Sequence, residues 1–286
     1  MEEYEKQKCD TCDADAFQKR VSCFLETVDP DYLMYDKEEF LLYQQEYEYI
    51  QKYACEKQLF YTACCLVIAR GRYNGRYRGS LEQEDGEIAL PFYIHCLRVC
   101  KMLIYLPVGF SKGEEDVLLA AALCHDFIKN IPTKEEEVVL RTVYRLPGDI
   151  IQIMLLLKSR HRYNEKEQKL FFNELLKNKF ALLVRLSDQS DIVEHLIDLS
   201  IWKVHEYIYQ TRVYYLPLCI DAKIRYHQLY ECLGILAEKM RTLCEITDIL
   251  VNRYARRETE LSNEILSLRE ENARIRYLIS NLKTEP

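Results

Sequence analysis

Val117-Leu118-Leu119-Ala120-Ala121-Ala122-Leu123-Cys124-His125-Asp126 sets eight apolar or small residues in front of two polar ones. No apolar/polar alternation marks a strand here, and the run lies within Glu114–Lys129, which reads as an apolar helix. It ends on His125 and Asp126, which are costly in such a setting unless satisfied. The same form recurs on either side: His95 sits within Pro91-Phe92-Tyr93-Ile94-His95-Cys96-Leu97-Arg98-Val99, and Asp188 ends Ala181-Leu182-Leu183-Val184-Arg185-Leu186-Ser187.

The whole chain supports a helical reading. Only 8 glycines and 7 prolines occur in 286 residues, about 5% against roughly 12% in average usage. Turn-dense sandwiches, barrels and doubly wound folds use more of both. No alternating run of useful length and no internal repeat appears. Helices are expected over Ala16–Tyr53 with a break at Pro30, and over Glu56–Ala69, Pro91–Leu106, Glu114–Lys129, Asp149–Leu157, Lys166–Asn178, Lys179–Leu199 and His205–Tyr215. A long amphipathic helix is expected from about Asp221 onward. Residues 1–15 are polar and acidic, and fraying is expected there.

The net charge of −7 argues against nucleic acid as a partner. No run of 18 apolar residues predicts a membrane span. Met1-Glu2-Glu3-Tyr4-Glu5 lacks the basic and apolar regions of a signal peptide, so a cytoplasmic location with reduced thiols is expected. Cys9 and Cys12 form a CxxC, but no second CxxC completes a zinc site. The cysteines at 64, 65, 96, 100 and 124 fall in apolar helical patterns and read as small core residues.

The end of the chain has its own period. With Tyr254 at d, later d positions are Leu261, Leu268, Ile275 and Leu282; a positions are Val251, Glu258, Ile265, Asn272 and Ile279. A 3.5-residue repeat with a single Asn at a favours a parallel coiled-coil homodimer through residues 251–282. The other reading is an amphipathic helix packed back on the body.

His95, His125, Asp126 and Asp188 offer two imidazoles and two carboxylates, a mixed donor set suited to Mn²⁺, Fe²⁺ or Zn²⁺. His125 and Asp126 lie about 100° apart around a helix, so they clasp one ion only if the other ligands arrive from separate helices. An ion so held polarises a phosphoryl oxygen and lowers the pKa of bound water.

The ordered set His95, His125-Asp126, Asp188, with these flanks, resembles the pattern of HD-domain metal-dependent phosphohydrolases. Gly75-Arg76-Tyr77-Arg78 before Pro91-Phe92-Tyr93-Ile94-His95 is similar to the opening of the RelA/SpoT-type guanosine-tetraphosphate (ppGpp) hydrolase domain. Ala120–Asp126, Val184-Arg185-Leu186-Ser187-Asp188, and the segment from Glu206 to Cys219 are similar to its later motifs. The resemblance implies an all-α HD-domain helical bundle over residues 56–220, with Mn²⁺ on His95, His125, Asp126 and Asp188, and Arg78 lining a purine pocket. Around it lie an N-terminal extension (1–55), a linking amphipathic helix (221–250) and a coiled-coil tail (251–286).

This chain departs from the family pattern at the positions beside the metal motifs. Lys129 and Asn130 occupy the catalytic Glu-Asp positions, and neither is a carboxylate base. After Asp188 the chain reads Gln189-Ser190-Asp191-Ile192 in place of Arg-x-x-Asn. Glu135, Glu136 or Asp191 could replace the lost base. Tyr77 and Arg78 close a run of four arginines (70, 72, 76, 78) that reads either as a base- and phosphate-binding loop or as a solvated basic one. Lys158 and Arg160 form a second basic cluster at family substrate-side positions. No P-loop and no Gly-x-Ser-x-Gly elbow occurs. The expectation is a metal-dependent phosphohydrolase for a nucleotide-like small molecule. Its alternative is a catalytically degenerate HD module acting as a dimeric nucleotide- or protein-binding regulator.

Overall fold

The structure, a computed structural model, describes residues 2–30, 33–76, 91–127, 135–158, 165–196 and 199–282. It is all-α, and no strand occurs among the described residues. The helices are α1 (Glu2–Leu25), α2 (Lys37–Leu41), α3 (Gln44–Lys57), α4 (Phe60–Tyr73), α5 (Phe92–Tyr105), α6 (Lys112–Cys124), α7 (Glu136–Thr142), α8 (Gly148–Leu157), α9 (Glu165–Leu175), α10 (Lys179–Glu194), α11 (Ile201–Gln210), α12 (Leu216–Arg225) and α13 (Tyr230–Leu282). A π-helical turn, Thr211–Tyr215, joins α11 to α12. No helix among the described residues is long and apolar enough to cross a membrane.

The core forms where α6 packs against α4, α5 and α8, and α10 packs against α5 and α8. Helix α10 is buried almost all round from Ala181 to Asp191. It is therefore the central post, and the polar stretch Ser187–Asp191 is carried into the interior with it. The N-terminal residues join this same core: Phe17, Val21, Tyr43, Tyr47, Ile50 and Ala54 are buried with the apolar residues of α4–α6.

Local chemistry explains the boundaries. Ser111 and Glu114 close a capping box that starts α6. The Asn178 side chain accepts from the Phe180 and Ala181 N–H groups and starts α10. Lys179 Nζ lies 2.6 Å from Glu114 Oε1, which ties those two helix starts together. His125 lies eleven residues beyond Glu114 and Asp188 nine beyond Lys179, about 16 and 14 Å at 1.5 Å per residue. The two helices thus bring their polar ends to a similar depth.

Three expected elements differ. The helix expected over Glu56–Ala69 is broken at Gln58, which adopts φ 54 and ends α3. The new start of α4 is capped from a distance: Asp116 of α6 accepts from the Tyr61 and Thr62 N–H groups at 2.9 and 2.7 Å. The long helix expected from Asp221 stops at Arg225, where Tyr226 donates its hydroxyl to the Leu176 carbonyl at 2.8 Å. Of the stretch expected to fray at 1–15, residues 2–15 lie within α1. Cys9 and Cys12 lie on that helix, with side chains outside the described set.

Helix α13 has two parts on one heptad. Over the body, the a and d positions Leu233, Ala237, Met240 and Cys244 are buried. From Asn252 to Arg276 every residue is exposed, so Tyr254, Leu261, Ile265, Leu268 and Ile275 continue the same seam without cover from their own chain. This part of the tail does not pack back on the body. The side chains of Ile279 and Leu282 lie outside the described set.

Candidate metal centre

Three helices deliver the central side chains. His95 stands on the first turn of α5, behind Pro91, and Phe92 packs edge-on against its ring. His125 is the C-cap of α6, where the last carbonyls lack helical partners. It uses one of them: its Nδ1 lies 2.7 Å from the Ala122 carbonyl oxygen. Asp188 lies on the buried face of α10.

These three meet. The ligand atoms of His95, His125 and Asp188 all lie within 4.8 Å of one another, and all three residues are buried. His95 Nε2 is 3.0 Å from Asp188 Oδ1, and His125 Nε2 is 3.9 Å from the same oxygen. The imidazole rings meet edge to face with centroids 5.2 Å apart. Asp126 is buried beside the group, its Oδ2 3.6 Å from His125 Nε2, but it is outside the set that converges within 4.8 Å.

The charge balance is uneven. Asp126, Asp188 and Asp191 are buried together, and Arg185 is the buried guanidinium among them. Its Nη1 donates to Asp188 Oδ2 at 2.6 Å, which leaves Oδ1 to face the histidines. Burial alone would raise the Asp188 carboxyl, but Arg185, the His95 hydrogen bond and His125 hold it well below the usual carboxylate range. Burial lowers the His125 imidazole against the pull of Asp126 and Asp188, and so favours its neutral form. Tyr215, in the π-helical turn, sets its ring 5.5 Å from the Arg185 guanidinium.

The residues fit a divalent cation. With Nδ1–H donating to Ala122, the His125 lone pair lies on Nε2, and this buried nitrogen has no hydrogen-bond partner among the described residues. It points toward the Asp188 oxygen and the second imidazole. Two imidazole nitrogens, a carboxylate oxygen and a surplus of buried carboxylates suit a borderline ion such as Mn²⁺, Fe²⁺ or Zn²⁺. A buried cluster that could bind a divalent metal is therefore present; its geometry does not name the metal.

Other anticipated residues stand elsewhere or out of view. Tyr77, Arg78, Lys129, Asn130 and Arg160 lie outside the described residues, as does the side chain of Glu136. Lys158 is the half-buried C-cap of α8. Glu135 is exposed at the start of α7. Arg70, the first arginine of the run, is held in an aromatic box, 3.6 Å above the Tyr35 ring and 5.0 Å from that of Tyr47. Arg76 is half-buried, and burial together with the charge of Arg72 lowers its guanidinium from the usual range. Its carbonyl accepts from the Phe92 N–H at 2.7 Å, one turn before His95.

Sequence reading missed the role of Arg185 and the true place of Asp191. Both are three residues from Asp188, a spacing that puts side chains on one helix face. A second acidic group, Asp191, Glu194 and His195, is already engaged: Glu194 pairs with Lys239 at 2.7 Å, and His195 Nδ1 lies 2.8 Å from the Asp191 carbonyl. No protein-family model matches the chain, and no curated protein matches it.

Proposed function

We propose that this chain is a diverged HD-type phosphohydrolase that uses a divalent metal to cleave a nucleotide-like phosphate ester. The observation that carries the metal half is the buried, unpartnered Nε2 of His125, aimed at His95 and Asp188. The ordered motif His95, His125-Asp126, Asp188 carries the phosphohydrolase half, through its resemblance to the ppGpp hydrolases. A bound ion would supply Lewis-acid polarisation of a phosphoryl oxygen and an acidified water.

The chain's own residues have defined parts in this reading. His95, His125 and Asp188 hold the ion, with Asp126 completing the set. Arg185 keeps Asp188 ionised and limits it to one free oxygen. Arg72, in the last turn of α4, and Arg76, whose carbonyl accepts from the Phe92 N–H at the start of the His95 helix, would bind a phosphate arm, since neither pairs with a carboxylate among the described residues. The uncovered heptad seam of α13 would pair two copies.

The second reading is a dimeric regulator that binds metal and nucleotide without turnover. The substitutions at Lys129 and Asn130 favour it, as does the engagement of Asp191 with a histidine. A Mn²⁺-dependent hydrolysis screen over nucleotides separates the two. Turnover lost in both His125→Ala and Asp188→Asn supports the enzyme. Tight nucleotide binding with no turnover supports the regulator. Activity that survives both substitutions contradicts the metal mechanism.

A further inference from the structure

If His95 binds a cation through Nε2, its other ring nitrogen must be accounted for. His95 Nδ1 lies 2.6 Å from Asp191 Oδ2, and the two side chains are 4% and 1% exposed. A carboxylate only accepts, so the imidazole donates from Nδ1. With a cation in place of the proton shared with Asp188, the lone pair is left on Nε2, the nitrogen that faces Asp188 Oδ1 at 3.0 Å. Without that bond the ring could rotate or take the other tautomer, and an N–H would point where a cation must sit.

The arrangement depends on helix geometry. Asp188 and Asp191 are three residues apart on α10, about 4.5 Å along its axis and on one face. That spacing lets one helix present a carboxylate to each nitrogen of a single imidazole carried by α5. The two ligand histidines are supported differently: His125 donates from Nδ1 to the uncharged Ala122 carbonyl, His95 to a carboxylate.

We propose that Asp191 is a positioning residue for the metal centre, fixing the tautomer and ring plane of His95 and strengthening Nε2 as a donor. The proposal rests on the metal-centre reading. It also separates Asp191 from the role of replacement base, because its carboxylate is committed to a ring N–H at the buried end of the site. Outer partners of this kind change metal affinity by about 10–100-fold when removed.

The test uses the full chain with Co²⁺. Visible absorption gives the Co²⁺ Kd, and proton NMR resolves the paramagnetically shifted ring N–H signals of the bound histidines. The parent is expected to show two slowly exchanging ring N–H signals, one for each histidine. Asp191→Ala should lose or speed the exchange of one signal, leave the His125 signal as an internal control, and raise Kd by about 10–100-fold. Asp191→Asn keeps an acceptor without the charge; it should retain both signals and still weaken binding. Parent-like Kd in both variants overturns the proposal, as does simultaneous loss of both signals in Asp191→Ala with a fall in the melting temperature of the metal-free protein. A parent that binds no Co²⁺ overturns the metal-centre reading along with the proposal, whereas the other contrary results leave that reading standing.

Discussion

His95 Nε2 lies 3.0 Å from Asp188 Oδ1, with both side chains almost fully buried. Such a contact needs positive charge between its partners, either a proton or a metal ion. A ligand that binds only the folded state adds RT ln(1 + [L]/Kd), about 2.7 kcal/mol at one hundred times Kd. Saturating Mn²⁺ or Co²⁺ should therefore raise the melting temperature by several degrees, and a chelator should reverse the rise. A melting temperature blind to both additions counts against the centre.

Arg185→Met removes the buried guanidinium that balances Asp188. A buried ion pair that loses one partner costs about 3–5 kcal/mol, because the remaining charge is uncompensated. Urea unfolding of the metal-free protein should show a loss of this size. Excess divalent metal should recover part of it, since the ion supplies the missing positive charge.

Asp116→Ala tests the cap that α6 places on α4. Asp116 Oδ1 accepts from the Thr62 N–H at 2.7 Å and from the Thr62 hydroxyl at 2.8 Å, in a buried site. Losing a helix cap costs about 1 kcal/mol, and stranding buried donors adds about 1–3 kcal/mol. Chemical denaturation should show a loss of about 2 kcal/mol or more. A change below about 0.5 kcal/mol would mean that other groups cap α4.

The fold was legible where composition and local signals agreed. Scarce glycine and proline together with apolar helical runs located most helices. The break at Gln58 was not legible, because its cause is a carboxylate 55 residues away in sequence that only tertiary packing brings to Tyr61. At the candidate site, His95, His125 and Asp188 could be picked out because polar residues stand at or near the ends of apolar runs. Asp191 and Arg185 could be seen as helical neighbours of Asp188. Which atoms they would occupy depended on α5 lying against α10, and no spacing within one helix reveals that.

The exposed half of α13 makes a pairing prediction. Glu264 and Glu271 fall at g, and Arg269 and Arg276 at e, so a parallel in-register dimer sets each Glu against an Arg of the other copy. An antiparallel pair would set like charges together. Light scattering should give twice the chain mass for the parent and a single mass for a chain truncated after Val251. The double change Arg269→Glu with Arg276→Glu should weaken the dimer, and Glu264→Lys with Glu271→Lys on the same chain should restore it. A parent of single mass contradicts the pairing.

The Glu114–Lys179 contact sets a modest acid dependence. The hydrogen bonds from Lys179 and Ser111 hold the Glu114 carboxyl down at about 2, from 4.5. Because the folded-state value is the lower one, the stabilisation is present above about 4.5 and is lost as the pH falls toward 2. The pair is partly open to solvent, and screening there keeps its contribution below about 1 kcal/mol. The stability gap between the parent and Glu114→Gln should be constant near neutrality and close on acidification through that window. A gap that widens in acid contradicts the assignment.

The central claim is that His95, His125 and Asp188 form one divalent-metal site. The most direct measurement is the metal content of the purified full chain by elemental analysis, followed by Co²⁺ titration of the parent, His125→Ala and Asp188→Asn. The account predicts about one tightly held ion per chain in the parent and loss of that ion in both variants. A parent without metal that also fails to take up Co²⁺, or variants that bind it as tightly as the parent, would contradict it.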